Sequence, residues 1–430
     1  MLKTFAETVD YLYTLLPAYQ HQGGQLKLSL EPAERLLKHL GNPHRKFRSV
    51  HVGGTNGTGS VTAMLSAVLQ QAGYRVGLFT SPHLFSFAER LRLNGQPAPA
   101  DWIVDWVNRH RPYIEAEMPS FFELTFGMAC DYYAQQQVDI AIMEVGMGGR
   151  LDSTNVLQPI LSVITNVSWD HAEFLGDTLP KIAAEKAGII KPGVPCILGE
   201  YQPEVFDVFV QQAEKVQTQV FPAWYGYTCE AGEWEGLLRW YSLTHQVLLE
   251  SLDLACDLGG DYQAHNLPPV MMALDMLAER GYPTTEAHIL AGLQQVRQLS
   301  GLRGRFDILA AEPLTIADVA HNEAGLRSLL AQVLSFEPVQ LHIVLGMVRE
   351  KDRSKILPLL PPGARYYYCS PALPRALPAP VLQQEAAAQG LQGQAHASVQ
   401  AARAAARAAA QAEDLILICG SVFTVAEALA

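Results

Sequence analysis

The residues best placed for chemistry lie in GGTNGTGS, residues 53–60, between the β-rich run FRSVHVGG and the helical SVTAMLSAVLQQAG. In a strand–loop–helix setting, glycines let backbone N–H groups converge on phosphate oxygens at a helix start, where the helix dipole also favours negative charge. Gly54, Gly57 and Gly59 supply the backbone freedom, and Gly54, Thr55, Asn56, Gly57, Thr58, Gly59 and Ser60 form the expected nucleotide cradle. The bland reading is a tight turn without a ligand, and the flanking strand and helix weigh against it. One position departs from the usual pattern. The lysine that reaches the terminal phosphates from such a loop is replaced by Thr58. A neutral hydroxyl cannot offset phosphate charge, so affinity or rate must suffer unless another cation compensates.

Such a loop needs a sheet to hold it. Apolar runs of strand length, FRSVHVGG, YRVGLFT, VDIAIMEVG and ILSVITNV, alternate with longer helical patterns, which reads as a mostly parallel sheet covered by helices on both faces. A second alternation begins near GLRGRFDILAAEPLTIADVAHN and runs through QLHIVLGMV and ARYYYCS to DLILICGSVFTVAEALA. It predicts a smaller, Rossmann-like α/β domain with its own sheet. The expected division is 1–298 and 299–430. The stretch from about 215 to 260 reads as short strands with turns, and AARAAARAAAQ as a surface helix on intrinsic propensity.

A chain of 430 residues exceeds the roughly 250–300 at which one core stops growing, which agrees with two domains. Its formal charge of −12 and the absence of a basic run leave no footprint for nucleic acid. The six cysteines are scattered singly, without a C-x-x-C pair, as in a reduced cytoplasmic protein. Glu7 and Asp10 interrupt the apolar pattern of the N-terminus, and no run approaches the length of a membrane span, so neither secretion nor a membrane is expected.

Further segments follow the loop in order: TSPHLFSFAERLRLNG, EVGMGGRLDSTN, SWDHAEFLG, EKAGIIKPG and ADVAHN. Each is weakly specific alone, but the ordered set resembles the folylpolyglutamate synthase and dihydrofolate synthase family, within the ATP-dependent ligases that include the muramyl peptide-building enzymes. The resemblance spans almost the whole chain. It implies a P-loop-type first domain like the central domain of those ligases, a C-terminal glutamate-ligase domain, and a monomer. It also implies an acyl phosphate mechanism, in which ATP phosphorylates a carboxylate of dihydropteroate or a folate and the α-amine of L-glutamate attacks. Bacterial relatives often carry both synthase activities, so the bifunctional form is the expectation.

Carried over residue by residue, the resemblance makes Ser81, Glu144 and His171 ligands of Mg²⁺. Glu144 ends the VDIAIME strand, where α/β sheets present ligands, and its oxygens suit that ion, whereas imidazole is a softer donor. Lys186 matches a lysine that carries a carbamate and serves a second divalent cation; on its own it reads as an ordinary lysine near a helix end. Asn266 and Arg305 match positions that hold ATP, and Asp318 and His321 match residues that serve the nucleotide and catalysis from the second domain. Arg305 is also the candidate to compensate for the absent loop lysine. Ser120, Phe121, Phe122 and Glu123, with Leu151, Asp152 and Ser153, match the pterin-substrate pocket, and Lys27, Leu28 and Ser29 match it loosely. Plain core packing explains Phe121 and Phe122 equally well, because adjacent aromatics cannot both face one side of a regular element. GMVREKD (346–352) and Arg375 fall where the family contacts glutamate and the domain interface, though solvated charge serves as well for Lys351 and Asp352. Arg303 and Glu323 stand where the family has proline.

Two alternatives stay open. One is a muramyl-type ligase, disfavoured by SPHL and AERLRLNG. The other is a catalytically weakened ATP- or folate-binding protein, suggested by Thr58.

Overall fold

A computed structural model of the chain describes residues 1–16 and 29–430. It divides into two compact units, Met1–Asp257 with Gln263–Leu302, and Leu258–Tyr262 with Arg303–Ala430.

The first unit is built on an eight-stranded sheet: β1 (Arg48–Gly53), β2 (Val76–Phe79), β3 (Leu91–Leu93), β4 (Gln96–Pro97), β5 (Ile140–Glu144), β6 (Leu161–Ile164), β7 (Cys196–Leu198) and β8 (Val220–Pro222). Their spatial order is β4-β3-β2-β5-β1-β6-β7-β8. All neighbours are parallel except the β2–β3 and β3–β4 pairs. The continuous apolar character of β2, β5 and β6 follows from burial at every position. β1 lies between β5 and β6, and the loop that leaves it opens at the C-terminal edge, where neighbouring connections diverge and ligands bind in open α/β sheets.

The helix that begins after this loop, Thr58–Gln71, is buried at every position from Gly59 to Leu69. Burial on all sides explains why its sequence shows no polar face. Gly292 permits one of its close neighbours, since a Cβ there would stand 2.7 Å from Val68 Cα. The Trp- and Tyr-rich stretch forms a three-stranded antiparallel sheet, β9 (Tyr227–Glu235), β10 (Leu238–His245) and β11 (Glu250–Cys256), in the order β11-β10-β9.

The second unit holds β12 (Asp307–Ala311), β13 (Leu314–Ala317), β14 (Leu341–Gly346), β15 (Arg365–Cys369), β16 (Gly393–Ala395) and β17 (Leu415–Cys419). Their order is β12-β13-β17-β14-β15-β16, with only the β12 edge antiparallel. The Ala-rich segment forms the helix Val399–Ala409, which buries Val399, Ala402 and Ala406 and leaves its arginines on other faces. Propensity makes the helix, and one apolar stripe docks it. Among the described residues, no helix is long and apolar enough to cross a membrane, and all six cysteines are free.

Candidate active site

The loop after β1 is held by the polar turn that follows β6. Thr55 N–H donates to Asn166 O at 2.9 Å, Asn56 N–H to Asn166 Oδ1 at 3.0 Å, and Thr165 Oγ1 to Asn56 O at 2.6 Å. The amides of Thr55 and Asn56 therefore serve to fix the loop. Two glycines are required sterically. Gly54 has φ +152° and a Cβ there would meet Thr165 Oγ1 at 1.8 Å, while Gly57 has φ +86° and a Cβ would meet Asn266 Oδ1 at 2.1 Å. Gly57 is the N-cap of Thr58–Gln71 and provides no side-chain cap, so the first-turn N–H groups look outward for partners. Asn266 approaches the loop through a chain: its Nδ2 donates to Gln263 Oε1 at 2.7 Å, and Gln263 Nε2 donates to Ser60 Oγ at 3.2 Å.

Glu144, 5% exposed, ends the strand beside β1. Its Oε1 accepts from Thr58 Oγ1 at 2.6 Å and its Oε2 from the Ser81 amide at 2.9 Å. The residue in place of the loop lysine thus bonds directly to the expected metal carboxylate, with Ser81 alongside. His171 stands in a left-handed conformation, φ +50°, at the start of the short helix Ala172–Leu175. Its amide donates to Asp170 Oδ1 at 2.9 Å, and its Nε2 lies 3.8 Å from the same oxygen. Among the described residues, no group of three or more His, Cys, Asp or Glu is set to hold a metal, so a cation here would rely on hydroxyl oxygens as well. Lys186, 3% exposed, donates from Nζ to Gly54 O at 2.7 Å. Burial lowers its pKa to about 8, against the opposing charges of Asp170 and Asp152.

The residues expected at the substrate pocket lie at a helix start and in the loop after β5. Ser120 and Glu123 form a capping box for the helix Phe121–Gln135: Glu123 Oε2 accepts the Ser120 amide at 2.6 Å and Ser120 Oγ accepts the Glu123 amide at 3.2 Å. Phe121 is 3% exposed and stacks on Tyr13 at 4.8 Å, with the Arg90 guanidinium 5.4 Å from its ring centre. Phe122, half-buried, covers Gly146, where a Cβ would meet the ring at 2.4 Å. Adjacent aromatics thus point apart, as helical geometry requires. Asp152 is turned onto its own loop, accepting from Thr154 N and Oγ1 at 3.0 and 2.5 Å and from Met147 N at 2.8 Å. Leu151 is half-buried beside it and Ser153 buried. Ser29 Oγ accepts the Glu31 amide at 3.2 Å; Lys27 and Leu28 lie outside the described residues.

In the second unit, Asp318 follows β13 and is almost fully buried. Its Oδ2 accepts from Tyr262 OH at 2.6 Å and Phe306 N at 2.9 Å, and its Oδ1 from Ala320 N at 2.8 Å. Burial raises its pKa, while the Tyr262 bond and the Arg305 charge oppose that rise. His321 Nδ1 pairs with Val319 O at 2.8 Å, and Arg305 Nη1 donates to Gly304 O at 3.3 Å. The proline positions are absorbed locally. Arg303 Nε donates to Asp307 Oδ2 at 2.8 Å, and Glu323 opens the helix Glu323–Ser335, where Arg327 reaches it at 3.0 Å. Arg375 Nε lies 3.7 Å from Glu350 Oε2, and Arg349 Nε donates to Ala376 O at 3.0 Å.

Thr165, Asn166 and Tyr262 escaped the sequence reading. TNVSWD follows an apolar strand just as GGTNGTGS does, and two polar strand ends on one sheet edge were the signal available. Tyr262 carried none, because its partner lies 56 positions away.

Residues 52–198 match the Mur ligase middle domain and 304–422 the Mur ligase glutamate ligase domain. The dihydrofolate synthase/folylpolyglutamate synthase of Bacillus subtilis is 33% identical over 82% of this chain and 84% of its own length. A probable bifunctional folylpolyglutamate synthase/dihydropteroate synthase of Haloferax volcanii is 32% identical over 99% of the chain, which spans only 50% of that protein. Among solved structures, Escherichia coli FolC in complex with DHPP and ADP has a TM-score of 0.86 at 28% identity, covering 99% of this chain and 97% of that one. The Yersinia pestis bifunctional enzyme complexed with AMPPNP and Mn ion has a TM-score of 0.81 at 26% identity, with 99% and 97% coverage. With its motifs, fold and sequence in agreement, this chain belongs to the folylpolyglutamate synthase/dihydrofolate synthase family of Mur-type ligases.

Proposed function

We propose that this chain is an ATP-dependent ligase that joins L-glutamate to dihydropteroate, to folates, or to both. The γ-phosphoryl group of ATP passes to a carboxylate oxygen of the pterin-bearing substrate, giving an acyl phosphate and ADP. The glutamate α-amine then attacks the acyl carbon, phosphate leaves with the C–O bond's electrons, and the amide forms as the nitrogen loses a proton. The observation that carries this reading is the bond between Thr58 and Glu144, which ties the first residue of the uncapped helix to a buried strand-end carboxylate.

Gly57, Thr58, Gly59 and Ser60 present first-turn amides to the phosphates, and Gly54, Thr55 and Asn56 hold the loop in shape for them. The donors at Ser81 and Glu144 are hard oxygens and fit Mg²⁺. A cation held there would neutralise charge on the phosphates, which is most of what phosphoryl transfer asks of a protein. We assign His171 to the same ion, and Lys186, as a carbamate, to a second. With its pKa near 8, the Lys186 amine has a neutral fraction at physiological pH that can add CO₂, releasing a proton. Asn266, Arg305 and Asp318 are assigned to ATP and His321 to catalysis, on the family resemblance.

The pterin contact falls to Phe122, Leu151 and Ser153, whose walls Ser120, Glu123 and Asp152 brace and Phe121 underlies. Lys27, Leu28 and Ser29 are assigned to the same substrate on their loose match to the family pattern alone. The six free cysteines agree with a cytoplasmic setting, and we assign a monomer, which light scattering tests.

Steady-state ADP release with Mg²⁺, glutamate and either dihydropteroate or tetrahydrofolate tests the function. Release that depends on both glutamate and pterin substrate is the expected result. Binding of ATP or folate with no release for any acceptor would establish instead the second reading, a weakened homologue, which Thr58 favours.

A further inference from the structure

Thr58 stands where an ammonium group ordinarily sits, and its hydroxyl has a definite partner, Glu144 Oε1 at 2.6 Å. The Ser81 amide holds Glu144 Oε2 at 2.9 Å. Two neutral donors thus bond to a carboxylate only 5% exposed, on which the buried Arg90 guanidinium also acts electrostatically. Carboxylate oxygens are hard donors of the kind that a divalent cation such as Mg²⁺ takes. A lysine at 58 would place a positive charge beside this carboxylate, neutralising it and repelling a divalent ion. Threonine does neither, and leaves the local formal charge one unit more negative. Lys186 does not replace the missing cation, because its amine donates to Gly54 O and carbamate formation would make it an anion.

We propose that Thr58 is a positioning residue for the divalent cation: it orients Glu144 so that the ion binds before the nucleotide and carries the positive charge that the loop lysine would have brought. The proposal rests on the assignment of Glu144 and Ser81 as the ion's ligands. The loop amides then meet a triphosphate already facing a bound metal. Metal and nucleotide bind in a fixed order, because the loop has no charge of its own to attract the phosphates first.

The test is a Mn²⁺ titration of the full chain without nucleotide or folate, read by the paramagnetic resonance signal of the free ion. Thr58→Ser keeps the hydroxyl and should bind within about twofold of the native chain, while Thr58→Val, which loses one bond to a charged group, should weaken binding about tenfold. Thr58→Lys adds a like charge within a few ångströms of the ion and should weaken it by about a hundredfold or more. Equal affinity in the Ser and Val variants, or a native chain that binds no Mn²⁺ without nucleotide, overturns the proposal. Circular dichroism checks the fold of each variant. Should the lysine variant not fold, the native chain and Thr58→Val, nearly equal in shape, still decide, with Thr58→Ser as the control that keeps the hydroxyl.

The outcome is separable from the ligase assignment. If the native chain releases no ADP with any substrate while the titrations behave as described, the ligase reading falls and this one stands. If ADP is released and the Thr58 variants bind Mn²⁺ alike, the reverse holds.

Discussion

Two strand ends, one in each unit, carry polar motifs that lead straight into helices. After β1, the helix Thr58–Gln71 starts at Gly57 without a side-chain cap. After β13, the helix Glu323–Ser335 starts at Asn322, whose Oδ1 accepts the Gly325 amide at 2.9 Å. The first start directs its amides outward and engages its polar side chains sideways, Thr58 on Glu144 and Ser60 with Gln263. The second is sealed from within, and its acidic residue Asp318 is surrounded by three donors from its own unit. A withheld cap leaves the first-turn amides for a partner outside the helix, whereas a supplied cap satisfies one of them from within.

Breaking the uncapped end should have the largest effect. Gly54→Ala places a methyl group on Thr165 Oγ1 and Gly57→Ala places one on Asn266 Oδ1; either should reduce ADP formation by about a hundredfold, with strain of roughly 1–3 kcal/mol in denaturant melts. Activity close to native in both variants would remove the loop from the mechanism.

The comparison sharpens with pH. His51, on β1, is fully buried, bonds to Thr154 Oγ1 at 2.8 Å, and has its pKa lowered to about 3 by burial, with Lys191 adding to the shift. His342, on β14, is also lowered by burial, but Asp414 at 3.3 Å pulls the other way. A histidine whose folded pKa is depressed keeps its full contribution above the unfolded value, near 6.5, and loses it as pH falls toward the folded one. At pH 5 the first unit should therefore be about 2 kcal/mol less stable than at pH 7 from His51 alone. Urea melts of His51→Asn should show a flatter pH dependence than the native chain, and those of His342→Asn a smaller change.

At the sealed end, Asn322→Ala should cost about 1 kcal/mol through loss of the cap, read as a shift in the urea midpoint of the second unit. The smallest effect is expected for Glu323→Pro. Proline suits the first helical position, and only the exposed pair with Arg327 is lost, so stability should change by less than about 0.5 kcal/mol.

The strands were legible because β2, β5 and β6, buried at every position, read as unbroken apolar runs, and the glycine loop because its residue types and its place between strand and helix agree. The split between Phe121 and Phe122 was half legible: helical geometry says that neighbours diverge, but the residues alone do not say which faces the core. The resemblance places Ser120, Glu123 and Asp152 at the substrate pocket, and the structure adds that their side chains form a capping box and a loop turn. Motif residues do structural work in order to present their neighbours, and a residue type does not reveal which of the two it does. The segment Leu258–Tyr262, which packs with the second unit although it precedes part of the first in the chain, had no sequence signal at all.

Residue order by itself determined the parallel sheets, the phosphate loop and the family, because burial periodicity and turn chemistry are local properties of the chain. Only the tertiary structure decided what Thr58 does. Its partner Glu144 lies 86 positions away, on the strand that pairs beside β1, and a hydrogen bond between residues so far apart exists only once the sheet order has placed both at one edge.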